Sequence, residues 1–206
     1  MGRFGRGGSE DPPDGVPDAL REHVGFDPVG EPPRPKLVDE LDAVAVNGGC
    51  ELVGLDIEDP GGVLSAADRA RAHGLVTDRA FIRSVLTSDA FDSAVTGLDT
   101  RDGFAGPDPD PDFEWFHATK VDGHAAWLLV RGGAYARFDG SQAEAKALGR
   151  EFVDALFGDR YEDVACRRST DQWSDWFVGI PHWDETLYLC DVRARRAWVL
   201  LLSDTD

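Results

Sequence analysis

The amino-acid sequence predicts an α+β fold: a mainly antiparallel sheet built from a three-stranded meander, a helix and then about four strands, with short N-terminal helices packed on it. Three observations carry this expectation. The dipeptides Asp122-Gly123 and Gly132-Gly133 separate apolar runs at hairpin spacing. Ser141-x-x-Glu144 makes a capping box ahead of an amphipathic stretch. Four apolar runs divided by turn residues then close the chain.

The elements follow in order. Residues 1–36 are rich in Gly and Pro, with the run Glu31-Pro32-Pro33-Arg34-Pro35, and hold few large apolar side chains. Such a segment buries too little surface to offset its ordering entropy, which predicts a flexible acidic arm with one short helical turn around Asp18 to His23. Its glycines do not make a phosphate-binding loop, because no strand precedes Gly2. Residues 37–98 read as mostly helical. Leu37, Leu41, Val44 and Ala45 share a face, and Gly48 follows as a terminator. A strand is expected at Glu51–Ile57. Ser65 is placed to cap a helix over 66–73 that stops at Gly74, Thr77 or Asp78 to start one reaching Leu86, and Ser88 a third reaching Val95. Helices this short need a sheet to pack against.

Residues 99–112 form an Asp/Pro linker ending in Asp108-Pro109-Asp110-Pro111-Asp112, where proline opposes both helix and central strand. All six tryptophans lie beyond it, which places the main antiparallel core in residues 113–206, or in 37–206 taken as one domain. Within that core the meander is expected as Phe113–Val121, His124–Arg131 and Ala134–Phe138. The capped helix should run to about Phe157, with Leu148, Phe152, Ala155 and Leu156 on one stripe and Gly158 ending it. Strands are then expected at Tyr161–Arg167, Trp173–Ile180, Glu185–Val192 and Arg196–Ser203. The last is almost wholly apolar, which predicts a central strand or one buried on both faces.

The chain carries 39 Asp and Glu against 21 Lys and Arg, a formal charge of -18. Asp outnumbers Glu and Arg outnumbers Lys, which occurs only at Lys36, Lys120 and Lys146. That bias is what a GC-rich genome or a salt-rich cytoplasm produces without any functional demand. As a field, the charge repels nucleic acid and anionic membranes and attracts basic proteins. The compact basic groups, Arg167–Arg168 and Arg193, Arg195 and Arg196, do not make a nucleic-acid footprint. Cys50, Cys166 and Cys190 form no CxxC pair, which fits a reducing compartment. The first residues lack the apolar core of a secretory signal and no window approaches about 20 apolar residues, so the expected location is cytoplasmic.

The candidate site is the cluster around the Gly179-Ile180-Pro181 break: Trp173, Asp175, Trp176, Phe177, His182, Trp183, Asp184 and Glu185. Aromatic side chains beside carboxylates suit a contact surface for a basic or amphipathic partner. The competing reading puts alternate residues in the core and the acids in water. A catalytic version would use His182 as base with Asp184 or Glu185 as acid or metal ligand. No Glu-x-Lys unit supports a nuclease centre, and Asp108, Asp110 and Asp112 lack the glycine and terminal Glu of a calcium loop. His117 and His124 flank the first expected hairpin turn and read as surface or satisfied histidines rather than a metal pair. There is no Gly-x-Ser-x-Gly elbow, and the cysteines sit in apolar runs. The function expected is therefore a non-enzymatic protein-binding module without cofactor, in particular an inhibitor or immunity-type partner of a basic protein. A metal-dependent hydrolase or nuclease, and a structural component of a larger assembly, are the alternatives.

Overall fold

A computed structural model describes residues 24–95, 97–98 and 111–205 of the chain. The arm expected over 1–36 enters this range only from residue 24. There Gly25–Pro28 forms a strand, β1, rather than a loose segment, because it pairs with the next strand and seats Phe26 edge-on against Phe81 at 5.9 Å. The helical turn expected at Asp18 to His23 and the linker residues 99–110 lie outside the described residues.

The fold is α+β around a six-stranded antiparallel sheet. Its strands are β1, β2 (Gly49–Glu58), β3 (Glu114–Phe116), β4 (Val164–Ser169), β5 (Glu185–Asp191) and β6 (Arg196–Ser203), in the spatial order β1-β2-β6-β5-β4-β3. β6 is central and buried from Ala197 to Ser203, as its unbroken apolar run predicts. It pairs with β2 from Gly49↔Ser203 to Asp56↔Arg196, so residues from both sides of the Asp/Pro linker share one sheet.

Helices cover both faces. On one lie α1 (Lys36–Val44), α6 (Val121–Arg131) and α7 (Gln142–Leu156), which bury Leu41, Leu128, Leu129 and Phe152 with Leu187, Leu189, Trp198 and Leu200 of the sheet. On the other lie α2 (Val63–Ala66), α3 (Arg69–Val76), α4 (Arg79–Leu86) and α5 (Asp89–Asp92), which bury Val76, Ile82, Val85 and Phe91 with Leu55, Tyr188, Val199 and Leu201. The period-2 alternation of β5 and β6 is thus split between two cores. Asp78 and Ser88 cap α4 and α5 as expected. The helix expected after Ser65 is instead capped by Asp68 and runs through Gly74 to Val76, since Asp68 Oδ1 accepts from the Arg71 N–H at 2.9 Å.

The expected meander is replaced by a short strand and a helix. Only Glu114–Phe116 is extended, and Asp122-Gly123 lies in the first turn of α6 instead of a hairpin. Val121, Ala125, Leu128 and Leu129 recur at helical spacing and are all buried, and an acid in the first turn suits the helix dipole. Gly132 does take a positive φ of 72°, but as the residue that ends α6. The strand expected at Trp173–Ile180 is an irregular loop, for reasons given below. The capping box is formed in both directions, and α7 ends at Leu156, ahead of Gly158 at φ 60°. Among the described residues no helix is long and apolar enough to cross a membrane.

The close crossing of α6 and α7 depends on Gly149. A Cβ there would overlap the Asp122 carbonyl oxygen. At an unhindered helix position Gly→Ala stabilises by about 1 kcal/mol. Here Gly149→Ala is expected to destabilise by about 1–3 kcal/mol in urea unfolding, because the crossing must widen. A stabilised variant would show that the two helices do not meet at this residue.

Candidate functional site

The residues singled out around Gly179 divide into three groups. Trp173 is fully buried in the second core, tilted against Phe177 with ring centroids 5.1 Å apart, and donates its indole N–H to Thr186 Oγ1 at 2.9 Å. Asp184 is also fully buried. Its carboxylate accepts from the backbone N–H groups of Gly179 at 2.6 Å, Ile180 at 3.0 Å and Val178 at 3.3 Å, and from Ser203 Oγ at 2.6 Å. Three successive amides aimed at one carboxylate cannot also serve a strand ladder, which is why Trp173–Ile180 is a loop. Trp173 and Asp184 therefore build the loop and offer nothing to a partner's surface.

Asp175 and His182 are exposed, and Trp176 and Trp183 are half-buried. His182 rests against the Trp183 ring at 4.7 Å, while Asp184 turns into the loop, so the two do not form an acid–base pair. Glu185, next in sequence, points to the other face of the sheet and is only 2% exposed.

Glu185 organises a cluster whose assembly the sequence does not announce. His124 Nε2 of α6 lies 2.8 Å from Glu185 Oε1, and Arg168 Nε of β4 makes an ion contact with the same oxygen at 3.5 Å. Arg168 also reaches Glu114 of β3 at 3.9 Å. A buried carboxylate needs such company, because an uncompensated charge in the interior costs several kcal/mol. The His124 ring stacks on Trp127 at 5.5 Å and tilts against Phe116 at 5.0 Å. One turn further along α6, the Arg131 guanidinium contacts both Trp127, at 5.3 Å, and Trp183, at 5.2 Å. Arg131 Nη1 donates to the His182 carbonyl, tying the loop to the helix. Burial works against the Arg131 charge, which Glu185 and Asp204 support.

The result is a ladder of Trp127, Arg131 and Trp183 beside a partly buried His124–Glu185–Arg168 cluster centred on the buried Glu185. Residues 124, 127 and 131 follow i, i+3, i+7 spacing, a helical signal hidden by reading the segment as a strand. For the same reason His117 and His124 do not face each other across a hairpin. His117 Nδ1 engages Thr119 at 2.9 Å, whereas His124 turns to Glu185.

Nucleophilic chemistry has little footing. All three thiols are buried, and desolvation pushes Cys166 and Cys190 up to about 12 and Cys50 well above the usual thiol range. Among the described residues no group of three or more His, Cys, Asp or Glu side chains is gathered as a metal would require. Asp112, the one acid of the Asp/Pro motif within the described residues, has its backbone N–H held by Asp171 at 2.7 Å.

Comparison of the chain with protein-family models, with curated proteins and with solved structures gave no match.

Two outcomes are expected. Asp184→Ala should cost about 3 kcal/mol in urea unfolding, since it orphans several buried donors, against about 1 kcal/mol for Ser203→Ala, which removes one. Equal, small losses would show that the carboxylate does not hold the loop. The cysteines should be silent to Ellman's reagent in native protein at mildly alkaline pH and react only on unfolding. Because the folded thiols hold their protons above the ordinary value of 9.0, their stabilising contribution is complete below that value. It is lost as pH rises toward about 12, and urea midpoints measured across that window should fall.

Proposed function

We propose that the chain is a cytosolic, non-enzymatic protein-binding domain whose contact face is the Trp127–Arg131–Trp183 ladder, and that it serves as an inhibitor or immunity-type partner of a basic protein. The observation behind this reading is the ladder's make-up and support. Trp127 is 49% exposed and Val130 beside it 38% exposed, yet both tryptophans are pinned by one guanidinium beside a partly buried ion cluster. Trp and Arg are the side chains that dominate interface hot spots, and holding them in place beforehand reduces the ordering cost of binding. The formal charge of -18 favours encounter with a basic partner. Asp175, exposed on the neighbouring loop, adds to that field. Three free, buried cysteines suit a reducing cytosol.

A metal-dependent hydrolase or nuclease would draw on His182 with Asp184 or Glu185, but these three side chains point to different surroundings and Asp184 is already engaged by backbone donors. No contact among the described residues favours a structural role in a larger assembly.

The full chain, used as bait in a host-cell extract, should retain a basic protein at about 0.15 M salt and release it near 0.5 M, because screening weakens steering and rim contacts. In binding assays with that partner, Trp127→Ala and Trp183→Ala should each weaken affinity about tenfold or more. Failure to retain any partner, or binding unchanged by both substitutions in folded protein, would overturn the reading.

A further inference from the structure

The remaining unexplained chemistry lies beside β3, on a cleft of about 510 Å³ lined in part by His73 of α3, Trp115 of β3, His117 and Lys120 at the two ends of the following 3-10 turn, Tyr161 and Glu162. None of Trp127, Arg131 and Trp183 lines it. Its volume is within the range of small-molecule pockets, roughly 300–1,000 Å³.

Three features point to a ligand. The first is an unpaired cation. In a chain with 39 acids to 21 Lys and Arg, a lysine readily finds a carboxylate: Lys36 meets Glu40 at 3.2 Å and Lys146 meets Asp122 at 2.6 Å. Lys120, the third and last lysine, has no carboxylate partner among the described residues although it lines the cleft. His117 stands with it. Its Nδ1 accepts from the Thr119 N–H at 3.3 Å, which leaves the proton of the neutral ring on Nε2 as a second donor.

The second feature is an orphaned ring nitrogen. His73 lies beside the Asp163 backbone, and its Nε2 is buried without a hydrogen-bond partner. Burial disfavours the charged ring, so Nε2 offers either one lone pair or one N–H. Buried polar atoms without partners are uncommon in folded proteins, and one on a residue lining a cleft calls for a polar partner from outside. The third is Trp115. Arg167 sits 3.8 Å from its ring centroid and fixes it, yet the residue stays 67% exposed, leaving aromatic surface at the rim.

We propose that this cleft is a binding site for a small planar anion, whose ring lies on Trp115, whose anionic group meets Lys120 and His117, and whose polar edge pairs with His73 Nε2. The acidity of the whole chain does not oppose this. Glu162, the carboxylate in the lining, is engaged by Arg69 at 2.6 Å, which leaves Lys120 as the cleft's uncompensated charge. At physiological salt the screening length of about 8 Å weakens the field of more distant acids. Cys166 lines the inner wall with a protonated thiol and contributes shape rather than reactivity.

The test is a set of NMR titrations of the isotope-labelled full chain that follow the Trp115 indole and His73 imidazole signals. Indoleacetate, hydroxybenzoate and adenosine monophosphate serve as planar anions with a donor, and adenosine and inorganic phosphate as controls lacking the charge or the ring. At least one planar anion should shift both signals saturably, with a Kd of about 1 mM or tighter, at least tenfold tighter than both controls. Lys120→Ala and Trp115→Phe, both at exposed positions, should weaken that binding about tenfold while leaving the other indole signals in place. Phosphate or adenosine acting as well as the planar anions would overturn the proposal. So would the absence of saturable shifts up to about 10 mM of all three. Because the cleft and the tryptophan ladder share none of these residues, either result leaves the protein-binding reading to its own experiment.

Discussion

The pairing of β2 with β6 is the contact on which the rest of the molecule depends. Eight consecutive residue pairs, Gly49↔Ser203 to Asp56↔Arg196, join a strand near the start of the described chain to one at its end. The join is tight: a Cβ at Gly54 would overlap the Trp198 ring, which lies across it. β2 and β5 occupy the two edges of β6 and helices cover both of its faces, so every side chain from Ala197 to Leu202 enters one of two cores. Both helical layers are therefore anchored to the same strand. Short helices such as α4 and α5, too short to persist alone, exist because β6 and its neighbours offer them an apolar floor.

Such a sheet needs its strand ends organised, and buried carboxylates do that. Asp191 closes the β5–β6 turn by accepting the Arg193 and Ala194 N–H groups and the Arg160 Nε, the last at 2.7 Å. Asp204, just past β6, accepts the Asn47 N–H at 3.0 Å and the Ala134 N–H at 2.7 Å, drawing together the ends of three segments. Asp184 and Glu185 flank the start of β5, one gathering a loop and the other a histidine and an arginine. Each is at most 2% exposed. Part of the chain's acidity is thus spent inside, where every charge meets donors aimed at it, and only the remainder contributes to the outward field.

The tryptophan ladder inherits its rigidity from this arrangement. Glu185 is held by the sheet, His124 by α6 and Arg168 by β4, so Trp127, stacked on His124, rests on groups from three elements, and Arg131 links Trp183 to it. Among the described residues a few buried nitrogens remain without partners, and of these His73 Nε2 belongs to a residue that lines the cleft beside β3.

Local physics was legible in the amino-acid sequence. The capping box at Ser141, the Asp78 and Ser88 caps, the positive φ at Gly132 and Gly158 and the doubly buried final strand all rest on interactions within a few residues or on composition, and all are present. What tertiary structure decided is the element to which such signals belong. Gly132 can turn a hairpin or end a helix, and the packing of α6 on α7 at Gly149 chooses the helix. Trp173–Ile180 alternates like a strand, but a carboxylate four to six residues beyond its amides folds it into a loop. Asp184 and Glu185 are adjacent in sequence and look alike there, yet alternation across a sheet sends them to opposite faces with unrelated partners. A composition of acids and tryptophans determined that this chain has a core and a charged surface. Which acids are buried, and which tryptophans stay outside, follows from donors contributed by residues distant in sequence, and only the folded chain brings those together.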